Sequence, residues 1–376
     1  MIKVLHILPN YFPRLGGIET LMEQYFKLQS DDSEFEHTIL TIKRKNQSST
    51  ERTPGVLHLD EINIPDLQNS KDILPQTLRI ISQLRHVIYE QQPSIIHIHA
   101  LHELSLFAVK IARELSIPLI YHFHGTVTEE VMRILKPIVP FLHNILVVSE
   151  AVHQSLLPYL ASDIQIEVLV NGVEDLFGLP PARSKNSENQ ILIVGRIEHE
   201  KGFDIAVKAF GLILQELPAF RLVVIGSGSQ LQSLKILGRQ LGIMSSIDFL
   251  GDLRNEEVIQ KMDQSNIVLV PSRAIEGFGI VAIEAALREV VVIASDIGGL
   301  SYTVEDKKSG FLVPADDPIA IAEKVKEILK DPDSLEKIRK YARIRALDLF
   351  STDRFNISLE SYYHNLQIRE KNRASK

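Results

Sequence analysis

The segment 195–202, GRIEHEKG, sets a guanidinium, Arg196, and an ammonium, Lys201, in one loop between a β-rich run and a helical pattern. Two fixed cations at this spacing suit a diphosphate, which is held by cations together with backbone donors. Spacing alone equally allows two solvated surface charges. Further along, PSRAIEGFGIVAIEAALRE (271–289) puts Glu276 in a loop and Glu284 about a turn inside the following helix, with Gly277, Phe278 and Gly279 at the helix entrance. A helix N-terminus attracts phosphate, and a carboxylate beside it can accept the paired hydroxyls of a ribose or hexose. The plainer alternative is an N-terminal charge and a surface glutamate. Gly16-Gly17, within PNYFPRLGGIE (9–19), and Gly226-Ser227-Gly228 read either as turns or as backbone that approaches an anion closely. Neither G-x-G-x-x-G nor G-x-x-x-x-G-K-[ST] occurs, which excludes the dinucleotide fingerprint and the P-loop. Histidines form a third group: His97 and His99 end one strand candidate, His122 and His124 the next. Zinc takes three or four such ligands, so a metal site is one reading of HIHALH…HFHG, and chelator-insensitive activity would reject it.

The elements that carry these residues alternate. Strand candidates lie at 2–8, 36–42, 94–100, 118–124, 145–149 and 166–171, with helical patterns near 17–30, 76–91 and 103–115. The second half repeats the scheme, with strands at 190–195, 221–226, 246–251, 267–272 and 290–295 and helices at 202–217, 228–241, 255–264 and 279–288. A last helical pattern covers 354–369. Strand–helix alternation predicts parallel sheets covered on both faces. The expected fold class is therefore α/β, two doubly wound domains facing across a cleft. Ligands in such sheets bind outside the carboxyl ends of the strands, where the cations, glutamates and histidines fall.

Length and composition agree with this. The chain has 376 residues, 45% hydrophobic and 24% charged, too long for one ordinary core and of globular composition. It has no cysteine, hence no disulfide, no thiolate nucleophile and no cysteine-ligated zinc, and no tryptophan to stack on a sugar. Net charge is −7, opposite in sign to a generic nucleic-acid binder. Residues 1–180 hold 14 Lys+Arg against 21 Asp+Glu, whereas 181–376 hold 27 of each. Between the halves, LFGLPPARSKNSENQ (176–190) reads as a linker. The opening MIKVLHILPNYF reads as a first strand and not as a signal peptide, and no apolar run approaches the ~20 residues that span a bilayer. A cytoplasmic protein is expected.

Taken in order, these motifs resemble the retaining nucleotide-sugar glycosyltransferases of family four, which have the GT-B fold of two Rossmann-like domains. The resemblance runs over nearly the whole chain: GGxE (Gly16, Gly17, Glu19), HFHG (122–125), VVSE (147–150), NGVED (171–175), GRxxxxKG (195–202), the glutamate pair Glu276 and Glu284, Gly298-Gly299 and GFLVP (310–314). It implies that Arg196 and Lys201 hold the donor diphosphate and leaving group. Glu284 would hold the nucleotide ribose and Glu276 the donor sugar, with Gly226, Gly228, Gly277, Phe278 and Gly279 also on the donor side. Gly16 and Gly17 would close over the phosphates, and His124 would lie near the anomeric carbon. Glu19, His99, His124 and Asn171 are assigned to the acceptor. The implied domains are 1–175 for the acceptor, a linker 176–189, 190–350 for the donor, and a helix 351–376 that crosses back to the first domain. No metal or other cofactor is implied. Two departures concern the donor pocket: Leu300-Ser301-Tyr302 stand where the family continues Leu/Ile-Pro-Glu, and Glu289 and Val291 replace its Gly and Pro.

The expected activity is transfer of a hexosyl group, hexose or N-acetylhexosamine, from a nucleoside-diphosphate sugar, UDP being the first candidate, to a hydroxyl with retention of configuration. No carboxylate is clearly placed as a covalent nucleophile, so the resemblance favours front-face attack assisted by the departing phosphate. A nucleotide-sugar 2-epimerase of the same fold, or a non-catalytic two-lobed sugar-nucleotide binding protein, are the alternatives; donor cleavage that depends on acceptor separates them. Acceptors in this family include saccharides, lipid-linked glycans and aminocyclitol-like small molecules. The segment 131–144 is amphipathic but holds only Arg133 and Lys136, and the acidic first half disfavours adhesion to anionic lipid, so charge does not support membrane contact.

Overall fold

The computed structural model describes residues 1–8, 21–22, 25, 34–42, 55–59, 73–99, 103–125, 127–160, 164–180 and 189–374. The chain forms two compact units, Met1–Val170 with Asn356–Lys376, and Asn171–Phe355.

In the first unit the strands are β1 (Ile2–Ile7), β2 (Phe35–Ile42), β3 (Val56–Leu59), β4 (Ile95–Ile98), β5 (Leu119–Phe123), β6 (Asn144–Val147) and β7 (Gln165–Val168). The helices between them are α1 (Ile73–Gln91), α2 (Glu103–Glu114), α3 (Glu129–Leu135) and α4 (Glu150–Leu156). Thr128 and Ser149 start α3 and α4 by accepting from the N–H groups of Val131 and Val152, each at 3.3 Å. The sheet order is β3-β2-β1-β4-β5-β6-β7, all parallel. The order reverses between β1 and β4, where His6 is in register with His97.

The second unit repeats the plan. Strands β8 (Gln190–Val194), β9 (Arg221–Ile225), β10 (Ile247–Gly251), β11 (Ile267–Val270), β12 (Val291–Ser295) and β13 (Phe311–Val313) form a parallel sheet in the order β10-β9-β8-β11-β12-β13. Helices α5 (Phe203–Leu214), α6 (Leu231–Gln240), α7 (Asn255–Gln264), α8 (Ile280–Leu287), α9 (Leu300–Thr303), α10 (Pro318–Ile328) and α11 (Pro332–Phe350) cover it. Alternate residues of β8 feed opposite layers: Ile191 and Ile193 pack in one core, Leu192 in the other.

Helices α10 and α11 and strands β3 and β13 are additional to the elements expected above. The helices carry a readable signal, Asp-Pro at each start: Asp317 accepts from Ile319 and Ala320, and Asp331 from Ser334. The last helix, α12 (Thr352–Ala374), begins in the second unit and from Asn356 belongs to the first, where Leu359, Tyr362, Tyr363 and Leu366 are buried. Asn171–Asp175, grouped by sequence with the first half, belong to the second unit. Among the described residues no helix is long and apolar enough to cross a membrane.

Candidate active site

In the second sheet the strand order reverses between β8 and β11, the place where an open α/β sheet leaves a crevice at its carboxyl edge. The loop after β8 contains Arg196 and a 3-10 turn, His199–Lys201, and ends at Gly202, the N-cap of α5. The loop after β11 runs from Pro271 to Gly279, where α8 starts. The two loops lie against each other. Gly202 has φ +67°, and a Cβ there would stand 1.9 Å from the Pro271 carbonyl oxygen, so only glycine fits. The Arg273 N–H donates to the Glu200 carbonyl at 2.8 Å, and the Arg273 guanidinium holds both oxygens of Asp204 on α5, at 2.5 and 2.7 Å. Burial of Asp204 opposes its ionisation, but the hydrogen bonds from Arg273 and Lys208 win and bring its carboxyl down to about 2.

This packing joins residues 75 positions apart. Lys201 Nζ lies 2.5 Å from Glu276 Oε1, and the Ser272 hydroxyl donates to Glu276 Oε2 at 3.0 Å. Both ends of the ion pair are largely covered, at 25% and 18% exposure. Arg196 is different: its side chain is 72% exposed and its one described ion pair is Glu200 at 3.6 Å. Glu284 sits on α8; its carboxyl group makes no hydrogen bond among the described residues, and burial pushes it up to about 7.

Other residues expected on the donor side make packing contacts. Phe278 is 3% exposed and packs edge-on to Phe350, ring centroids 5.6 Å apart, so its ring belongs to the core and only its backbone faces the helix entrance. Gly226 (φ +128°) is required because a Cβ would stand 1.9 Å from the Gly195 carbonyl oxygen. The Gly226–Gly228 turn thus packs against the loop after β8, with Ile197 N–H donating to the Ser227 carbonyl at 2.8 Å. Glu289, standing where the family has glycine, has φ +53°, the left-handed conformation glycine adopts most easily.

In the first unit His124 is partly exposed just past β5, and its Nε2 is 3.1 Å from His99 Nδ1. His99 itself is 1% exposed, with its other nitrogen 2.9 Å from His6. Expected at the acceptor, it stands behind His124. Asn171, also expected at the acceptor, is 4% exposed and lies in the second unit. Gly16, Gly17 and Glu19 lie outside the described residues. Two triads, His6-His97-His99 and His99-His122-His124, have ligand atoms within 4.8 Å and could hold a metal ion. Burial, and secondarily the neighbouring imidazoles, keep His6, His97, His99 and His122 well below the ordinary histidine range.

Sequence reasoning missed what NGVED does. Asp175 accepts from Arg343 at 2.5 Å, while buried Arg288 holds Asp263 at 2.8 and 3.0 Å and donates to the Gly178 carbonyl at 3.0 Å. These contacts fasten 175–178 to α7, α8 and α11. The signal was only that Arg343 has no acidic residue three or four positions away on its own helix.

The first half of the chain, residues 15–175, matches the family model Glycosyltransferase Family 4, and residues 180–345 match Glycosyl transferases group 1. The chain belongs to this glycosyltransferase family. It is 32% identical over 177 residues to an uncharacterised glycosyltransferase of Methanocaldococcus jannaschii, a match covering 47% of this chain and 44% of that protein. It is 34% identical over 163 residues to the D-inositol 3-phosphate glycosyltransferase of Corynebacterium urealyticum, covering 42% and 38%. The chain thus spans less than half the length of these curated relatives. Among solved structures, sucrose-phosphate synthase of Thermosynechococcus elongatus superposes with a TM-score of 0.79 at 19% identity, covering 97% and 99% of the two chains. The Anabaena protein HepE in complex with UDP and glucose gives 0.78 at 18% identity, covering 97% and 100%. The fold is that of GT-B enzymes, two Rossmann-like α/β units.

Proposed function

We propose that this protein transfers a hexosyl group, hexose or N-acetylhexosamine, from a nucleoside-diphosphate sugar to a hydroxyl acceptor with retention of anomeric configuration, UDP being the first candidate base. The observation that carries this is the Lys201–Glu276 pair at the switch point of the second sheet, with exposed Arg196 in the same loop and Glu284 on the following helix. HepE, of the same fold, binds UDP and glucose.

In this reading an arriving diphosphate draws the Lys201 ammonium from Glu276 and frees that carboxylate for sugar hydroxyls. Arg196, Lys201 and the N-terminus of α8 take up the charge that develops on the leaving phosphate, preorganised electrostatics that need no metal ion. Glu284 accepts from the ribose hydroxyls. His124 of the first unit serves the donor sugar at the anomeric carbon. The acceptor is a saccharide, lipid-linked glycan or aminocyclitol-like small molecule.

Mass spectrometry of products from a panel of donors and acceptors, with the new linkage read by NMR, tests the activity. Arg196→Ala and Lys201→Ala are each expected to lower kcat roughly 100- to 1,000-fold, about 3–4 kcal/mol for one lost donor, and to weaken nucleoside-diphosphate binding. Normal turnover in both rejects the assignment, and donor consumption without acceptor points instead to an epimerase.

A further inference from the structure

One face of the first unit's sheet carries imidazoles where aliphatic side chains are the rule. His37 on β2, His6 on β1, His97 and His99 at β4, and His122 and His124 at β5 share that face. Their contacts form a line. Tyr25 OH is 3.0 Å from His37 Nε2, and His37 Nδ1 is 2.8 Å from His6 Nε2. His6 Nδ1 is 2.9 Å from His99 Nε2, and His99 Nδ1 is 3.1 Å from His124 Nε2. Each link joins the Nδ1 of one ring to the Nε2 of the next.

That alternation has a consequence. A neutral imidazole has one N–H and one acceptor nitrogen. If His6 carries its proton on Nδ1, it donates to His99 Nε2, which puts the His99 proton on Nδ1, aimed at His124. The same holds back to Tyr25. The line therefore has two hydrogen-bonded arrangements: every ring protonated on Nδ1, or every ring protonated on Nε2. Mixed forms set two lone pairs or two N–H groups against each other in a buried place. Burial keeps the rings neutral, with His37 at about 3, so a charged ring does not blur the order.

A metal ion competes for the same rings but fits less well. Both candidate triads use His99, whose two nitrogens are already taken by His6 and His124. His97 and His122 stand beside the line, stacked on His99 and tilted against His124 with centroids 4.0 Å apart in each case.

We propose that Tyr25, His37, His6 and His99 form one hydrogen-bond chain that ties the tautomer of His124 to that of the rings behind it, making His6 and His99 positioning residues for it. The effect on catalysis rests on the reading of His124 given above; the tautomer order does not.

Two-bond 1H–15N correlation spectra of the full chain labelled with 15N-histidine test this at pH 7, without substrate. His6, His37 and His99 are expected in the same tautomer, in at least tenfold excess. His6→Leu should leave His99 and His124 as tautomer mixtures and lower kcat about tenfold with donor KM unchanged, the donor cations being in the other unit. His6→Gln, which keeps a donor and an acceptor, should restore most of kcat. Tyr25→Phe removes a hydroxyl that can donate or accept and leaves the four rings linked, so His6, His37 and His99 should still share one tautomer; the unsubstituted chain carries the test if His6→Leu does not fold. Opposite tautomers in neighbouring rings, or an unchanged His99 signal in His6→Leu, overturn the chain. So does stoichiometric binding of added Zn2+ that moves the His99 signals to metal-bound values. Full activity of His124→Ala with the tautomer order intact would refute the catalytic role of His124 and leave the chain standing.

Discussion

Glu284 is the residue whose protonation the proposed function turns on. With its carboxyl pushed up to about 7 by burial, it is largely neutral in the free protein below pH 7. Ribose hydroxyls donate to a carboxylate, so bound nucleotide favours the ionised form. Binding should release a proton, roughly three-quarters of one at pH 6.5, and affinity should rise with pH through 7. Calorimetric titration of UDP in buffers of different ionisation enthalpy reads this directly; pH-independent affinity without proton release would remove Glu284 from the ribose site. Arg196, Lys201 and Glu276 are candidates in the sequence because each stands beside a glycine in a loop after a strand, and Glu284, inside a helix between Ile283 and Ala285, enters only as the second glutamate of the pair. The inward turn of Phe278 and His99 is not legible, because residue type says nothing of whether a side chain at a strand end or helix entrance turns inward.

At the scale of elements, the site depends on two loops held face to face by Gly202, Arg273 and Asp204. Gly202→Ala forces a left-handed alanine against the Pro271 carbonyl. It should destabilise by about 2–4 kcal/mol, roughly 6–12 °C in thermal unfolding for a unit of this size. The expected loss of activity should exceed that of an equally destabilised surface variant, since the loops carry Lys201 and Glu276. An unchanged melting temperature would show that the loops separate without cost. The strands that carry the site are readable from short β-rich runs and the helices from their 3.6-residue period. α10 and α11 carry that period too, burying Ile321, Ala322, Val325 and Ile328 on one and Leu335, Ile338, Ala342 and Ala346 on the other, and their Asp-Pro starts are plain; three-residue β13 is too short to have a period at all.

For the whole molecule, the two units should respond oppositely to acid. His6, His37, His97, His99 and His122 stay neutral when folded but bind protons near pH 6.5 when unfolded. Their contribution is present above that pH and is lost as pH falls, at about 1.4 kcal/mol per pH unit for each ring. Glu284 acts the other way in the second unit: folded, it holds a proton that the unfolded chain gives up above about 4.5, so that unit gains as pH falls from about 7. Hydrogen exchange read by mass spectrometry should show peptides of Met1–Val170 losing protection between about pH 5 and 4 while those of Asn171–Phe355 keep it. Loss of protection in the second unit first would contradict the burial of neutral histidines.

The sequence by itself determined the alternation of strands and helices, the carboxyl-edge position of the functional residues, and the family. These are local or ordered along the chain: backbone period, turn residues and motif order need no knowledge of distant neighbours. Only the tertiary structure decided that Lys201 meets Glu276, that Asn171–Asp175 join the second unit, and that histidines from three strands line up behind His124. In a parallel sheet, crossover connections decide which strand lies beside which, and β1 sits next to β4 across some ninety residues of chain. Contacts of that kind depend on register and packing between segments, which no single stretch of sequence contains.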